Sequence, residues 1–357
     1  MSDTLPYAYG GPPLTGRLRA EPADFEVEEL LGFEPSGHGE HAFVWIEKTG
    51  ANTEWVARQL ADAAGVAPMA VGFAGLKDRH AVTRQVFTVQ MPGRADPDWS
   101  ALAIPGVTVL SAMRHDRKLK RGAHRGNRFR IRLRDVRGDR AAADERIERI
   151  RAGGVPNYFG EQRFGRDGRN LALAQALFAG RRMPRHQRGF ALSAARSELF
   201  NAVLGDRVER GDWNRALDGE VWMLAGSHAI FGPEPFDESL ARRLAELDIH
   251  PTGPLWGAGE LRSTADVRAR ETAAVEPFAA IAQGLERAGL NQERRSLRLP
   301  IDDWWHEWPS ESELTLGFRL AAGSFATTVL RELCDWHVEA AGYGQMPESD
   351  DESAVLS

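Results

Sequence analysis

Between Asp62 and Asp96 the chain carries a single acid, Asp78, set among Lys77, Arg79, His80, Arg84 and Arg94. A lone carboxylate in such company is favoured in its charged form, because nearby cations stabilise the ion. It can serve as a nucleophile, as an anchor for an arginine or as a loop cap, and structural ion-pair networks leave the same signature as active sites. A second concentration of chemistry follows in Arg114–Arg134, RHDRKLKRGAHRGNRFRIRLR, with ten Lys or Arg against one Asp. In its last part arginines alternate with Phe129, Ile131 and Leu133, so a strand there has one apolar and one arginine face. Guanidinium forks suit phosphates. The stretch therefore predicts a phosphate-backbone track built from Arg114, Lys118, Lys120, Arg121, Arg128, Arg130 and Arg132. The competing reading is that acids from elsewhere in the fold neutralise that face. Gly122, Gly126 and Asn127 interrupt the run and allow close approach of the backbone to a ligand.

Other chemistries lack their motifs. No GxxxxGK[ST] occurs, no GxGxxG follows a strand pattern, and neither Ser227 nor Ser324 sits in a GxSxG elbow. HGEH at His38–His41 lacks helical spacing and a third ligand, so it reads as a polar loop rather than a metal site. One cysteine, Cys334, excludes an internal disulfide and a cysteine-based zinc cluster. Its apolar helical setting predicts a buried, inert thiol.

With 357 residues, 42 % hydrophobic and 27 % charged, the chain has the composition of an ordinary globular protein with room for two domains. It contains no run of about 18 apolar residues, and the start, MSDTLPYAYGGPPLTG, has no secretory pattern. A cytoplasmic location is expected. The net charge of −6 averages the basic stretch with an acidic tail, PESDDESAVLS, expected to be disordered. Local charge decides binding, since fields are screened within about 8–10 Å at physiological salt.

The elements that position these residues are mixed in type. Phe25–Glu29 alternates as a half-buried strand, and Pro22 predicts a bend between Arg19 and Phe25. His41–Ile46, Val71–Phe73, Val86–Val89, Val107–Ser111 and Phe129–Leu133 read as further strands. Asn52 caps a helix closed by Gly65, with Val56, Leu60 and Ala63 on one face. A helix over Arg140–Arg151 precedes VPNYFGEQRFGRDGRN, an irregular connector in which Arg163 either contacts RNA or pins the loop. Helices capped by Asn170, Ser193 and Asp237 follow, then a last one over Pro277–Ala288. Strand character returns in ELTLGFRL, Glu313–Leu320, before a terminal helix, FATTVLRELCDW, capped by Ser324. The irregular mixture indicates an α+β fold. Asn127 offers an amide for a base edge, and Phe25, Phe129 and Phe325 offer rings for stacking. Each alone is more often a turn or core residue.

GLKDRHAVTRQ (Gly75–Gln85), GNRF (Gly126–Phe129), VPNYFGEQRFG (Val155–Gly165) and AGSFATTVLREL (Ala322–Leu333), taken in order, resemble the TruD family of pseudouridine synthases. The resemblance covers nearly the whole chain and implies isomerisation of uridine 13 of tRNA without a cofactor or a metal. It implies a pseudouridine-synthase-like catalytic domain with a mixed or antiparallel sheet, formed by residues 1–152 and 301–345. An inserted α/β TRUD domain over 153–300 would split it, and residues 346–357 would be the tail. Carried over by position, Asp78 is the nucleophile, Phe25, Asn127 and Phe325 hold the target uridine, and Phe129 lines the pocket. The family commonly has a lysine as basic partner of the aspartate. The matching position here is Arg19, which keeps the charge but not the capacity to transfer a proton, so its expected role is electrostatic. A non-catalytic RNA-binding protein would use the same basic track but gain nothing from Asp78 and Arg19. An aspartate hydrolase would want a second carboxylate or a metal site. With no long heptad pattern, a monomer is expected.

Overall fold

The computed structural model describes residues 5–338; the acidic tail lies outside the described residues. The chain packs into two compact units. Among the described residues, one comprises 14–139, 301–323 and 334–338, and the other 5–13, 140–300 and 324–333. Residues 5–13, 140–152 and 324–333 thus pack with the central segment. An insertion is defined by chain order and a compact unit by contacts, so the two divisions differ at these edges.

The first unit is built on a ten-stranded mixed sheet. Its strands include β1 (Leu14–Leu18), β2 (Phe25–Leu30), β3 (His41–Lys48), β4 (Val71–Phe73), β5 (Val82–Gln90), β6 (Val107–His115) and β7 (Gly126–Gly138). The main order runs from the hairpin Asp302–Ser310 and Glu313–Ala321 through β7, β2, β5 and β3 to β6. Only β2 with β5 and β1 with Cys334–His337 are parallel among these pairs. The observed sheet agrees with the expected α+β class. A single helix, α1 (Thr53–Ala64), lies over the face bearing Val44, Ile46, Phe87 and Val89, burying Val56, Leu60 and Ala61 among them. Ala63, expected on that buried side, is exposed; the apolar stripe runs through Ala57 and Ala61, one turn apart. Gly65 closes the helix in the left-handed region at φ 62°, which a residue without Cβ adopts freely.

Strand period settles the sheet's two faces. In Glu313–Ala321, Leu314, Leu316, Phe318 and Leu320 are all buried, as the alternation predicts, opposite Leu133, Ile131, Phe129 and Asn127 of β7. Phe25, Val27 and Glu29 of β2 oppose the same Ile131, Phe129 and Asn127 from the other side. Arg128, Arg130 and Arg132 therefore lie on the reverse face. The strand Asp302–Ser310, DDWWHEWPS, has no apolar alternation to announce it and is mostly exposed.

The second unit is helical, with helices Arg140–Gly153, Arg169–Phe178, Arg185–Glu209, Glu238–Ala245, Ala265–Val275 and Ala279–Arg287 and a four-stranded antiparallel sheet. Asp237 caps its helix by accepting the Leu240 N–H at 2.8 Å, as expected. Ser193 instead lies inside a 25-residue helix, where a long apolar face overrides its capping tendency. The terminal helix is also shorter than its pattern, ending at Leu330. Cys334 begins a strand beside β1, and burial pushes its thiol up to about 12, an inert group as expected. The connector is held rigidly: Asn201 brackets the backbone of Phe159, and Asn157 bonds Ser296 and Arg295. Arg163 bonds the Ser193 hydroxyl at 2.8 Å with its guanidinium 5.1 Å from the Phe159 ring centroid. It pins the connector.

Candidate active site

Asp78 sits in the loop joining β4 to β5, and that loop is fastened carbonyl by carbonyl. The carbonyls of Ala74 and Gly75 accept from the Gly122 N–H (2.8 Å) and the Gln85 amide (3.2 Å). Lys48 Nζ donates to the Lys77 and Asp78 carbonyls, at 3.2 and 3.3 Å, and Gly50 N–H donates to Arg79 at 2.9 Å. The Lys77 N–H donates to the Thr53 hydroxyl, which donates in turn to Gln85. A backbone so tied loses little freedom on meeting a substrate, which is how a site is pre-organised.

The Asp78 carboxylate is divided between two partners. Oδ1 accepts the His80 N–H at 2.9 Å, and Oδ2 faces Arg19 Nη2 at 2.9 Å. The side chains of this pair are 17 % and 26 % exposed, so the pair is reachable from solvent and not sealed in the core. Arg19 reaches it from a left-handed backbone at φ 60°. Such a conformation costs a non-glycine residue on the order of 1 kcal/mol and persists when contacts over-determine it. Here they do: the guanidinium lies 4.3 Å from the Phe25 ring centroid while bonding Asp78. The bend that separates Arg19 from Phe25 is a short 3-10 turn, Pro22–Asp24.

Phe25 meets Phe129 edge to face at 6.2 Å, and Phe129 continues to Phe318 at 5.5 Å, forming an aromatic wall. Asn127 shares that sheet face, and its Oδ1 is buried without a hydrogen-bond partner in the protein. An unpaired buried oxygen of this kind can accept a hydrogen bond from a ligand or from water.

Beneath the loop are buried charges, of which Glu29, Lys48 and His124 are not among the expected site residues. Lys77 Nζ pairs with Glu29 at 2.9 Å, and both are buried. Lys48, 1 % exposed, donates also to the Ala51 carbonyl at 2.8 Å. Burial lowers its ammonium to about 8, helped by Lys77 and opposed by Asp78. Burial, then Lys77, lowers His124 beside them, against Glu29. A signal for two of these exists in the strand period. Glu29 falls in the apolar phase of FEVEEL, and Lys48 in the apolar phase of HAFVWIEK after Ala42, Val44 and Ile46. A charge in an apolar phase marks a buried ion.

The predicted cations divide into two groups. Arg128 and Arg130 pair with Glu28 and Glu26 of β2, at 3.2 and 2.8 Å, on the face turned away from Phe25, Phe129 and Asn127. β2 supplies the acids that the competing reading required. Arg132 shares that reverse face, and Arg114 pairs with Asp96. Lys118, Lys120 and Arg121 are exposed on the β6–β7 loop, which runs beside the Asp78 loop through the Gly122–Ala74 bond. Arg121 lies over Phe73 and bonds Glu54; Lys118 bonds the Met69 carbonyl. Phe325 is the N-cap of the helix Ala326–Leu330 in the second unit, where it packs against a cluster containing Tyr158, Phe159 and Phe200. The structure thus gathers Asp78, Arg19, Phe25, Phe129 and Asn127 in the first unit. Among the described residues no group of three His, Cys, Asp or Glu is placed to hold a metal, and no helix is long and apolar enough to cross a membrane.

The family model described as tRNA pseudouridine synthase D (TruD) matches residues 2–180 and 169–333. A tRNA pseudouridine synthase D of Methylococcus capsulatus is 53 % identical over 336 residues, covering 94 % of this chain and 95 % of its own length. One from Xanthomonas axonopodis pv. citri is 51 % identical over 354 residues, covering 94 % and 96 %. The fold matches the crystal structure of a tRNA pseudouridine synthase D (TruD) from Methanosarcina mazei with a TM-score of 0.71 at 22 % identity, covering 92 % of this chain and 95 % of that one. With the family model spanning almost the whole chain and relatives above half identity, this chain belongs to the tRNA pseudouridine synthase D (TruD) family.

Proposed function

We propose that the protein isomerises uridine to pseudouridine in tRNA, at position 13, with Asp78 acting at the ribose. The observation that carries this reading is the Arg19–Asp78 pair, held by a tied loop with Arg19 stacked on Phe25. The reaction breaks C1′–N1 and forms C1′–C5 with the same base, and a proton leaves C5 while N1 gains one. Atoms and electrons balance within the nucleotide, so the chemistry calls for no cofactor. An ionised carboxylate is needed, to attack C1′ or to remove a ribose proton. Arg19, permanently charged, fixes the direction in which the Asp78 carboxylate points. Phe25 and Phe129 wall the site while the detached base turns, and Asn127 Oδ1 takes the uracil N3–H. Phe325 is carried into the uridine-holding set by its motif position. The target base must leave its stack, at a cost of a few kcal/mol. Phosphate contacts from Lys118, Lys120 and Arg121 offset it.

Tritium release from tRNA labelled at uridine C5 tests this directly. The wild-type protein should release label from tRNA carrying U13 and not from a U13→C transcript. Asp78→Asn should lower release at least about 10³-fold while tRNA affinity stays within a few-fold. Turnover by Asp78→Asn, or binding without release by the wild type, overturns the reading; the second outcome is that of a binding protein.

A further inference from the structure

We infer that Lys48 is the positioning residue of Asp78, fixing the loop from beneath through the three protons of its ammonium. This rests on the reading of Asp78 as the group that acts at the ribose. Lys48 ends β3 and points into the apolar layer between the sheet and α1, where a lysine is otherwise out of place. Its Nζ donates to the carbonyls of Ala51, Lys77 and Asp78 at 2.8, 3.2 and 3.3 Å. An ammonium has three donors and no acceptor, and all three are used here on carbonyls. Two of those carbonyls bracket the Asp78 residue itself, so the lysine sets the backbone from which the carboxylate projects. Other ties on the loop's main chain reach Ala74, Gly75, Arg79 and the Lys77 N–H, and His80 N–H and Arg19 hold the Asp78 carboxylate; the carbonyls of Lys77 and Asp78 accept from Lys48.

The charged groups facing the ammonium are few. Asp78 favours the proton and Lys77 opposes it, both on the loop. On β3 the neighbouring Glu47 points to the other face, onto Arg84. β5 opposes Lys48 with Thr83, and β6 with Val107, both uncharged; the start of α1 adds Thr53. Arg19 faces Asp78 at Oδ2. Loss of the proton leaves an amine with two donors and a lone pair, so one carbonyl loses its donor and the loop slackens. Because the folded group titrates at about 8 and an unfolded lysine near 10.5, the folded state releases its proton first. Between those values the unfolded chain binds more protons, so this group's contribution to stability rises with pH. Turnover should fall as pH rises through about 8, where the folded group loses its proton.

The test is single-turnover isomerisation of tRNA from pH 6.5 to 9.5, for wild type, Lys48→Met and Lys48→Arg, with tRNA affinity and melting temperature alongside. Lys48→Met should slow turnover by about 100-fold, the scale of a misplaced reacting group, with affinity within a few-fold. Wild type should show an alkaline limb centred near 8 that Lys48→Met lacks. Lys48→Arg keeps the charge but not the geometry, so a folded Lys48→Arg should not be rescued. A folded Lys48→Met with wild-type turnover overturns the assignment, as does a wild-type profile flat from pH 7 to 9. If Lys48→Met does not fold, the wild-type profile alone decides. Asp78→Asn is run in parallel. Turnover there sinks the role of Asp78, whereas an inactive Asp78→Asn beside a fully active Lys48→Met sinks only that of Lys48.

Discussion

The two faces of the large sheet carry charge in opposite ways. On one face few charges are present and each is buried: Glu29 with Lys77, and Lys48 on its three carbonyls, all under the Asp78 loop. On the other, Arg128, Arg130 and Arg84 meet Glu28, Glu26 and Glu47 in a ladder across β7, β2, β5 and β3, open to water. The sequence density of charge is far higher on the second face, yet the proposed reacting pair, Asp78 with Arg19 stacked on Phe25, lies with the first. A buried ion is costly unless fully partnered, so it persists where it fixes something. An exposed ladder is worth little per pair and tolerates change. Counting cations along a chain therefore locates a basic strand without saying which side of it matters.

Breaking the buried pair should give the largest effect. Glu29→Gln keeps the volume but leaves the Lys77 ammonium without its counter-charge, at a site where the two side chains are 0 % and 6 % exposed. Such a loss destabilises by about 3–5 kcal/mol. Denaturant unfolding should show the midpoint falling with little change in slope. The double change Glu29→Leu with Lys77→Met should recover most of that stability, because replacing a whole buried pair by apolar groups is often neutral. It should not recover turnover if Lys77 helps hold the loop. A double variant as unstable as Glu29→Gln alone would show that the pair is not what that change disrupts.

Much of this was legible beforehand. The isolation of Asp78 among cations, the alternation of β7 and the clean period of Glu313–Ala321 all follow from residue types and spacing, and the structure bears out the last two as strands. Helix termini were less legible. Ser193 sits in a helix interior, because packing of a long face outweighs a single capping side chain, and the last helix stops at Leu330, before the chain pairs as a strand with β1 from Cys334 onward. Lys48 was legible only in part. Its place in the apolar phase of β3 marks a buried charge, but the expected strand stopped at Ile46, and its partners lie in a loop about thirty residues further on. The arginine face was legible as a face but not in its meaning. Glu26 and Glu28 are remote in sequence and become neighbours only through the β2–β7 register.

The second effect separates loop from strand. Lys120→Ala and Arg121→Ala, on the loop beside Asp78, should each weaken tRNA binding and reduce the magnitude of the salt slope by about 1. Arg128→Ala and Arg130→Ala should leave that slope unchanged, because their guanidiniums already face β2 carboxylates on the reverse side. Filter binding at several salt concentrations reads both. A lower slope for the strand variants would place RNA on the ladder face.

The smallest expected effect tests the ladder itself. Arg128 and Glu28 lie 3.2 Å apart with side chains 52 % and 33 % exposed, so water screens their attraction and ordering two long side chains offsets much of the rest. A double-mutant cycle over Arg128→Ala and Glu28→Ala, read by denaturant unfolding, should return a coupling of about 0.2–1 kcal/mol. The variants should turn over tRNA at the wild-type rate, since neither side chain is on the face of Phe25 and Phe129. A coupling above about 2 kcal/mol would match hydrogen bonds to desolvated charge rather than a screened surface pair. The ladder would then be a structural brace comparable with the pair under the loop, and the contrast between the two faces would be one of position alone.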